Sequence, residues 1–238
     1  MNLTYFIIPG TYNRNDVFLK IHNQLYTFWH SNWVQVFSNL SQPVDIKNSE
    51  FRRQSFIAAL INNSDEVIGL TLHTLFNLNS LADCHHHYFT NNYSNQFILE
   101  LKQKELSKVL SIEFLTVSEK YRKREAGFSV AKFLVSLSHR IQSFVNAEAS
   151  ISSCRKDLHI DKLESQFGGE QLNPPGLFYG VETQNLITYT KKLQEPQELK
   201  SHIDLIWNNK IWIDVEQPIR NEKNQLHKSL FPSQLEGI

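Results

Sequence analysis

The chain has 238 residues, 41% hydrophobic and 12% aromatic, which suits one large domain, or one domain with an extension, and excludes a disordered chain. Its 24 basic residues balance 24 acidic ones, so no global field favours nucleic acid or a membrane surface, and steering must come from local patches. No apolar run approaches the roughly 20 residues that cross a bilayer, the start MNLTYFIIPGTYNRN is too short and too uncharged for a signal peptide, and Cys84 and Cys154 read as free thiols in a reducing cytosol. The expectation is a cytoplasmic protein with no membrane span and no nucleic-acid partner.

Thr4 to Ile8 is β-branched and aromatic and closes on Pro9-Gly10, which predicts a first strand. Asn15 or Asp16 caps a helix running to about Leu40. Val17, Ile21, Leu25, Phe28, Trp29, Val36 and Phe37 recur along it at three- and four-residue steps, the pattern of a core face. Ser41 to Glu50 is a polar connection. Phe56 to Ile61 and Glu66 to Phe76 are the strands of a hairpin turned at Asn62-Asn63-Ser64-Asp65. Asn77 to Asn95 is polar and aromatic without a period, and a long loop is expected there, of the kind that often carries function. Gln96 to Val109 reads as a helix exposing Lys102, Lys104 and Lys108.

Ile112 to Val117 is the central strand. After a basic turn comes a helix from Gly127 to about Ala147, with Val130, Leu134, Leu137, Ile141 and Phe144 on one face. Glu148 to Ser153 is a short strand, and Lys156 to Phe167 a helix stopped by Gly168-Gly169. Phe178 to Val181 and Leu186 to Thr190 close the sheet. After Pro196 the chain is polar and charged but keeps Ile203, Trp207, Ile211 and Trp212. Residues 1–195 are therefore expected as the domain, and 196–238 as an extension that packs on it or on a dimer partner. The order of elements implies an α/β fold with a mixed sheet and helices on both faces.

Two short segments invite a chemical reading. Arg124-Glu125-Ala126-Gly127-Phe128-Ser129 is an R-x-x-G-x-S turn between strand and helix. Such a turn aims unpaired backbone N–H groups at one point, with the helix dipole behind them, and so makes an anion site. Lys120, Arg122, Lys123 and Arg124 cluster there, either as a solvated turn or as contacts for phosphate and an acidic carrier protein. In Cys84-His85-His86-His87, neighbouring side chains point to opposite faces in an extended chain and no second spaced ligand pair follows. That segment reads as a polar wall or lid rather than a metal site.

The element order, the R-x-x-G-x-S turn and the segment Lys162-Leu163-Glu164-Ser165-Gln166-Phe167-Gly168 together resemble the GNAT acyltransferase superfamily over roughly residues 50 to 190. Three features are most similar to its autoinducer synthases and long-chain N-acyl amino acid synthases. They are Glu113 early in the central strand, the stretch from Asn77 to Asn95, and Gly169 to Tyr179 with its Asn173-Pro174-Pro175-Gly176. Thr116 stands where those families carry Arg.

The resemblance implies a mostly antiparallel sheet with a splayed parallel strand pair. It implies a co-substrate, acyl-CoA or acyl-phosphopantetheine on acyl carrier protein, with no metal, and a small amine acceptor such as an amino acid. The reaction expected is N-acyl transfer of a medium or long chain. The alternatives are an acetyl-CoA-dependent N-acetyltransferase and a non-catalytic acyl-thioester-binding module.

The donor is expected along Leu115, Thr116 and Val117, whose backbone can polarise the thioester carbonyl, and at Arg122, Lys123, Arg124, Glu125, Ala126, Gly127, Phe128 and Ser129. Glu113 lies in an apolar strand, where burial raises a carboxylate pKa, and is the expected general base. Otherwise it is a structural carboxylate paired with Lys or Arg. His73 is the second candidate base, or else a half-buried aromatic. The family's thiolate-protonating Tyr aligns with Glu164, which leaves that role unfilled, and Tyr179 is the substitute considered for it.

Overall fold

The computed structural model describes residues 2–11, 16–40, 45–93, 95–122, 128–172, 175–178 and 180–213. β1 (Leu3–Ile8) alternates between two cores, Tyr5 and Ile7 entering one and Phe6 and Ile8 the other. α1 (Asp16–Ser38) lays Ile21, Leu25, Trp29 and Phe37 on the second of these, so its aromatic stripe is a core face. α2 (Asn48–Arg52) leads into the hairpin β2 (Phe56–Asn62) and β3 (Val67–His73). The Asn62 side chain accepts from the N–H groups of Ser64 and Glu66 and shapes the turn. Then come β4 (Leu75–Asn77), the short helices α3 (Leu81–Cys84) and α4 (His87–Asn92), and α5 (Asn95–Gln103).

The centre is β5 (Lys108–Ser111) and β6 (Glu113–Val117), followed by α6 (Val130–Phe144) and β7 (Ala149–Arg155). α7 (Ile160–Ser165), β8 (Glu170–Gln171), β9 (Gly176–Phe178), β10 (Val181–Tyr189), α8 (Lys200–Asn208) and β11 (Ile211–Trp212) complete the order. One sheet runs β11-β1-β2-β3-β6 and the other β4-β5-β7-β10-β8, with β9 on β10. Only β1 with β11 and β5 with β7 pair in parallel among the described strands. α1 covers one face of the first sheet, while α6 and α8 cover the other. α4 and α5 cover the second sheet. The α6 contact is close: a Cβ on Gly69 would stand 2.8 Å from Leu134 Cδ1 and 2.6 Å from the Thr116 carbonyl. No described helix is long and apolar enough to cross a membrane.

The expected α/β fold, mostly antiparallel with a splayed parallel pair, is what forms. Several boundaries differ. The run from Glu66 to Phe76 is two strands in different sheets, because Thr74 turns aside to donate its hydroxyl to Gln54 and its N–H to Ser111 Oγ. The stretch expected as one long loop carries α3 and α4. Ser80 Oγ caps α3 by accepting from the Asp83 N–H, and His86 Nδ1 caps α4 from the Tyr88 N–H. Tyr88, Phe89 and Tyr93 then bury against Phe76 and Phe97. The helix expected to reach Val109 ends at Gln103, since Val109 pairs with both Phe76 and Ala149. The expected pair of closing strands includes a single nine-residue β10. At the start of the extension, Leu199 and Ile203 enter the core under β1 and α6.

Candidate active site

The site arises where one strand changes sheets. β5 pairs in parallel with β7, and the last link is the Ile112 N–H to the Ile151 carbonyl at 2.9 Å. β6 then leaves to pair with β3. Phe114 and Leu115 together face Thr71 alone, a bulge, and Phe114 takes φ +51° there. The turned Phe114 ring is held edge-on by Trp29 and Trp33. Trp33 Nε1 donates to Thr116 Oγ1 at 2.8 Å, which ties the bulge to α1.

A cavity of about 350 Å³ opens between the parted strands, within the range of about 300–1,000 Å³ usual for small-molecule sites. Phe114 and Leu115 of β6 face Ser152, Ser153 and Cys154 of β7 across it. Trp33 and Phe37 close it from α1, and Leu158, Ile160 and Leu177 make an apolar flank. Leu158 and Leu177 are exposed, so that flank reaches the surface.

Glu113 stands in the wall, 9% exposed. Its Oε1 accepts from the Ser111 hydroxyl at 2.6 Å and from Arg53 Nη1 at 3.2 Å, and its Oε2 accepts from Arg53 Nη2. The structural pairing with an Arg therefore exists. It does not exhaust the group, because a carboxylate offers about four lone-pair sites and three are used. Arg53 is shared: its Nε donates to Glu50 Oε2 at 2.9 Å, and Glu50 Oε1 takes His87 Nε2 at 3.1 Å. Two carboxylates dividing one guanidinium leave this wall short of positive charge. Burial works against the Arg53 charge, but Glu113 and Glu50 raise its pKa above the ordinary value. Tyr88 lies under the guanidinium, 5.7 Å from it.

His73 is elsewhere. It is fully buried under the sheet and does not line the cavity. Its Nδ1 meets the Ser111 carbonyl at 3.2 Å and so carries the proton, while Nε2 accepts from the Thr71 hydroxyl at 2.9 Å. Burial lowers its pKa to about 3, so it is a neutral structural imidazole.

Of the expected donor residues, Leu115 lines the cavity, whereas Thr116 is buried between Trp33 and the Phe114 carbonyl. Val117 ends the strand, and Arg122 folds back onto its carbonyl at 3.0 Å and onto Asn32. Phe128 packs on Phe133, and the Ser129 hydroxyl accepts the Lys132 N–H at 3.3 Å as the cap of α6. Lys123, Arg124, Glu125, Ala126, Gly127 and Tyr179 lie outside the described residues.

Sequence reading missed Arg53, Glu50 and Trp33, whereas His87, read within a polar wall, does line the cavity. The Glu50/Arg53 spacing is a local signal for an ion pair. That Arg53 reaches Glu113, 60 positions away, is not. Cys84 donates to the Leu78 carbonyl, and among the described residues no three ligating side chains gather for a metal.

A sheet split at a parallel pair, with a cavity in the split and an amphipathic helix after the departing strand, is the GNAT architecture. Solved structures of this shape include the N-acyl amino acid synthase FeeM from uncultured soil microbes, at TM-score 0.52 and 10% identity over 80% of this chain and 92% of that one. The CoA-dependent acyl-homoserine lactone synthase BjaI matches at 0.52 and 11% over 89% and 93%. The polyamine N-acetyltransferase of Drosophila melanogaster matches at 0.52 and 10% over 79% and 100%. At these identities the likeness establishes the fold. No protein-family model and no curated protein matches the sequence.

Proposed function

We propose that this chain is an N-acyltransferase that moves a medium or long acyl group from a pantetheine thioester to a small amine, amino acids being one acceptor class. The observation that carries the reading is the cavity between β6 and β7, with a carboxylate wall at Glu113 and an apolar flank that reaches the surface. An acetyl group would leave most of that apolar lining bare, which favours a longer chain. The donor, acyl-CoA or acyl carrier protein, enters along Leu115 and Val117, and Arg122 with the segment 123–129 meets its phosphates.

Much of the acceleration comes from holding amine and thioester together in a site that excludes water. The carboxylates of Glu113 and Glu50 attract the acceptor as its ammonium. Glu113 then takes the proton of the attacking nitrogen on its unused lone pair. Glu113→Gln is expected to lower kcat about 10²-fold with little change in donor binding. Incubation with acetyl, octanoyl and palmitoyl donors, on CoA and on carrier protein, with an amine library and product mass spectrometry, tests the reading. Amides of the longer chains are expected. Exclusive use of acetyl-CoA would remove the long-chain reading, and no product from any donor would leave a binding module.

A further inference from the structure

Glu164 is a third carboxylate in the cavity lining, beside Glu113 and Glu50, and the chemistry above does not use it. It projects from α7, 3% exposed, on the wall that also carries Cys154. Its Oε1 accepts the Thr188 hydroxyl at 2.9 Å and lies 3.0 Å from Nε2 of His139, which is itself 5% exposed. No hydrogen bond falls on Oε2 among the described residues.

The partners of His139 fix where its protons sit. Gln142 Nε2 donates to the Thr188 carbonyl at 2.9 Å, so its Oε1 is the atom that meets His139 Nδ1 at 2.8 Å. Nδ1 therefore carries a hydrogen, and Nε2 faces Glu164. The approach is close but out of line, so Nε2 is buried without a well-formed hydrogen bond. Two buried acceptors at this distance would repel, so one proton is held between them. As imidazolium with carboxylate, or imidazole with carboxylic acid, the pair is neutral overall. Burial opposes the charged ring, yet Glu164 prevails and raises His139 above its ordinary value.

We propose that the Glu164–His139 pair is the acid of the transfer, holding one proton at the cavity wall and delivering it from Glu164 to the sulfur of the departing thiol. The inference rests on the thioester reading above. The amine nitrogen bonds to the carbonyl carbon, the carbon–sulfur bond breaks, and the sulfur takes the proton of Glu164. The nitrogen, bound as its ammonium, gives one proton to Glu113 before it attacks and a second as the amide forms; Glu113 returns each to solvent, and solvent reloads the pair. Two protons leave nitrogen, one reaches sulfur and the other stays in solvent, and nothing is oxidised. The groups that face the pair are Gln142 on α6, Thr188 on β10, Cys154 on β7 and His73 on β3, with Asp161 on α7 acting on Cys154. Burial and then Glu164 push the Cys154 thiol up, and His73 is neutral, so neither supplies the proton near neutrality.

The full chain is assayed with decanoyl-CoA and with the decanoyl ester of thiophenol, whose thiolate leaves without protonation. Wild-type kcat is expected to fall at high pH with the CoA ester, as the pair loses its proton, and to stay level with the aryl ester. Glu164→Gln is expected to lose about 10²-fold in kcat on the CoA ester and less than about tenfold on the aryl ester, with CoA-ester affinity by calorimetry unchanged. His139→Gln is expected to move the alkaline limb. Equal losses on both esters, or the same wild-type limb for both, would overturn the proposal while the acyltransferase stands. The wild-type comparison decides the matter even if a variant does not fold. If the wild type transfers the acyl group from neither ester nor from decanoyl acyl carrier protein, the thioester reading falls and this inference with it.

Discussion

Arg53 is the residue on which the carboxylate wall depends. It stands between Glu113 and Glu50, with about a tenth of its side chain exposed, and also donates to Thr74 Oγ1 at 3.1 Å. Removing one partner of a buried ion pair strands the others, so Arg53→Met is expected to cost about 3–5 kcal/mol in urea unfolding. Adding Glu113→Gln to that variant is expected to return part of the loss, because one stranded charge is gone. Independent, additive losses would show that the two side chains do not support each other. Glu113 was legible in the sequence as an acid in an apolar strand, and its pairing with a cation was foreseen as one of two readings. Which cation it meets was not legible, because the contact with Arg53 spans half the sheet. Glu164 shows the reverse problem. Its position in α7 was found, but His139 lies on another helix, and no periodicity joins the two.

At the level of elements, the longer strands were readable and their partition between sheets was not, while β5 fell partly inside the helix expected to reach Val109 and the two-residue β8 and β11 were not expected. The Glu66–Phe76 run, like the Lys108–Val117 run, is continuous in β propensity, so nothing local marks Thr74 or Ile112 as a break. The breaks come from pairing. The Thr74 N–H and carbonyl are satisfied by Ser111, and Ser111 passes its hydroxyl to Glu113. One polar cluster thus parts both strands and sets the carboxylate wall. The helices α3 and α4 escaped notice because elements of four and six residues are too short to show a period. The end of α7 was visible in Gly168-Gly169. Gly168 takes φ +92°, and a Cβ there would stand 2.7 Å from the Lys192 carbonyl. Gly168→Ala is expected to destabilise the fold by about 1–3 kcal/mol. It is also expected to lower kcat by disturbing the helix that carries Glu164. Unchanged stability by thermal unfolding would contradict this account of the turn.

For the whole molecule, two buried histidines set opposite dependences of stability on pH. His73 is held at about 3, below its ordinary 6.5. Its contribution is complete above pH 6.5 and is lost as the pH falls from there toward 3, a swing of ~5 kcal/mol. His139 is raised, so its contribution is complete below 6.5 and is lost as the pH rises through its folded-state value. Urea unfolding across this range is expected to show a maximum near neutrality. His73→Gln is expected to flatten the acid side, and His139→Gln the alkaline side. A wild-type curve flat from pH 6.5 down to 4 would contradict the burial of a neutral His73. The two layers of helix around a mixed sheet followed from the order of elements, and the cleft followed only from the resemblance, since it exists because β6 and β7 diverge. The most direct test of the central claim is a crystal structure with a non-hydrolysable decanoyl-CoA analogue bound. The account expects the acyl chain between β6 and β7, with the carbonyl between Glu113 and Glu164. An analogue bound elsewhere, with the strand cleft filled by the protein's own side chains, would contradict it.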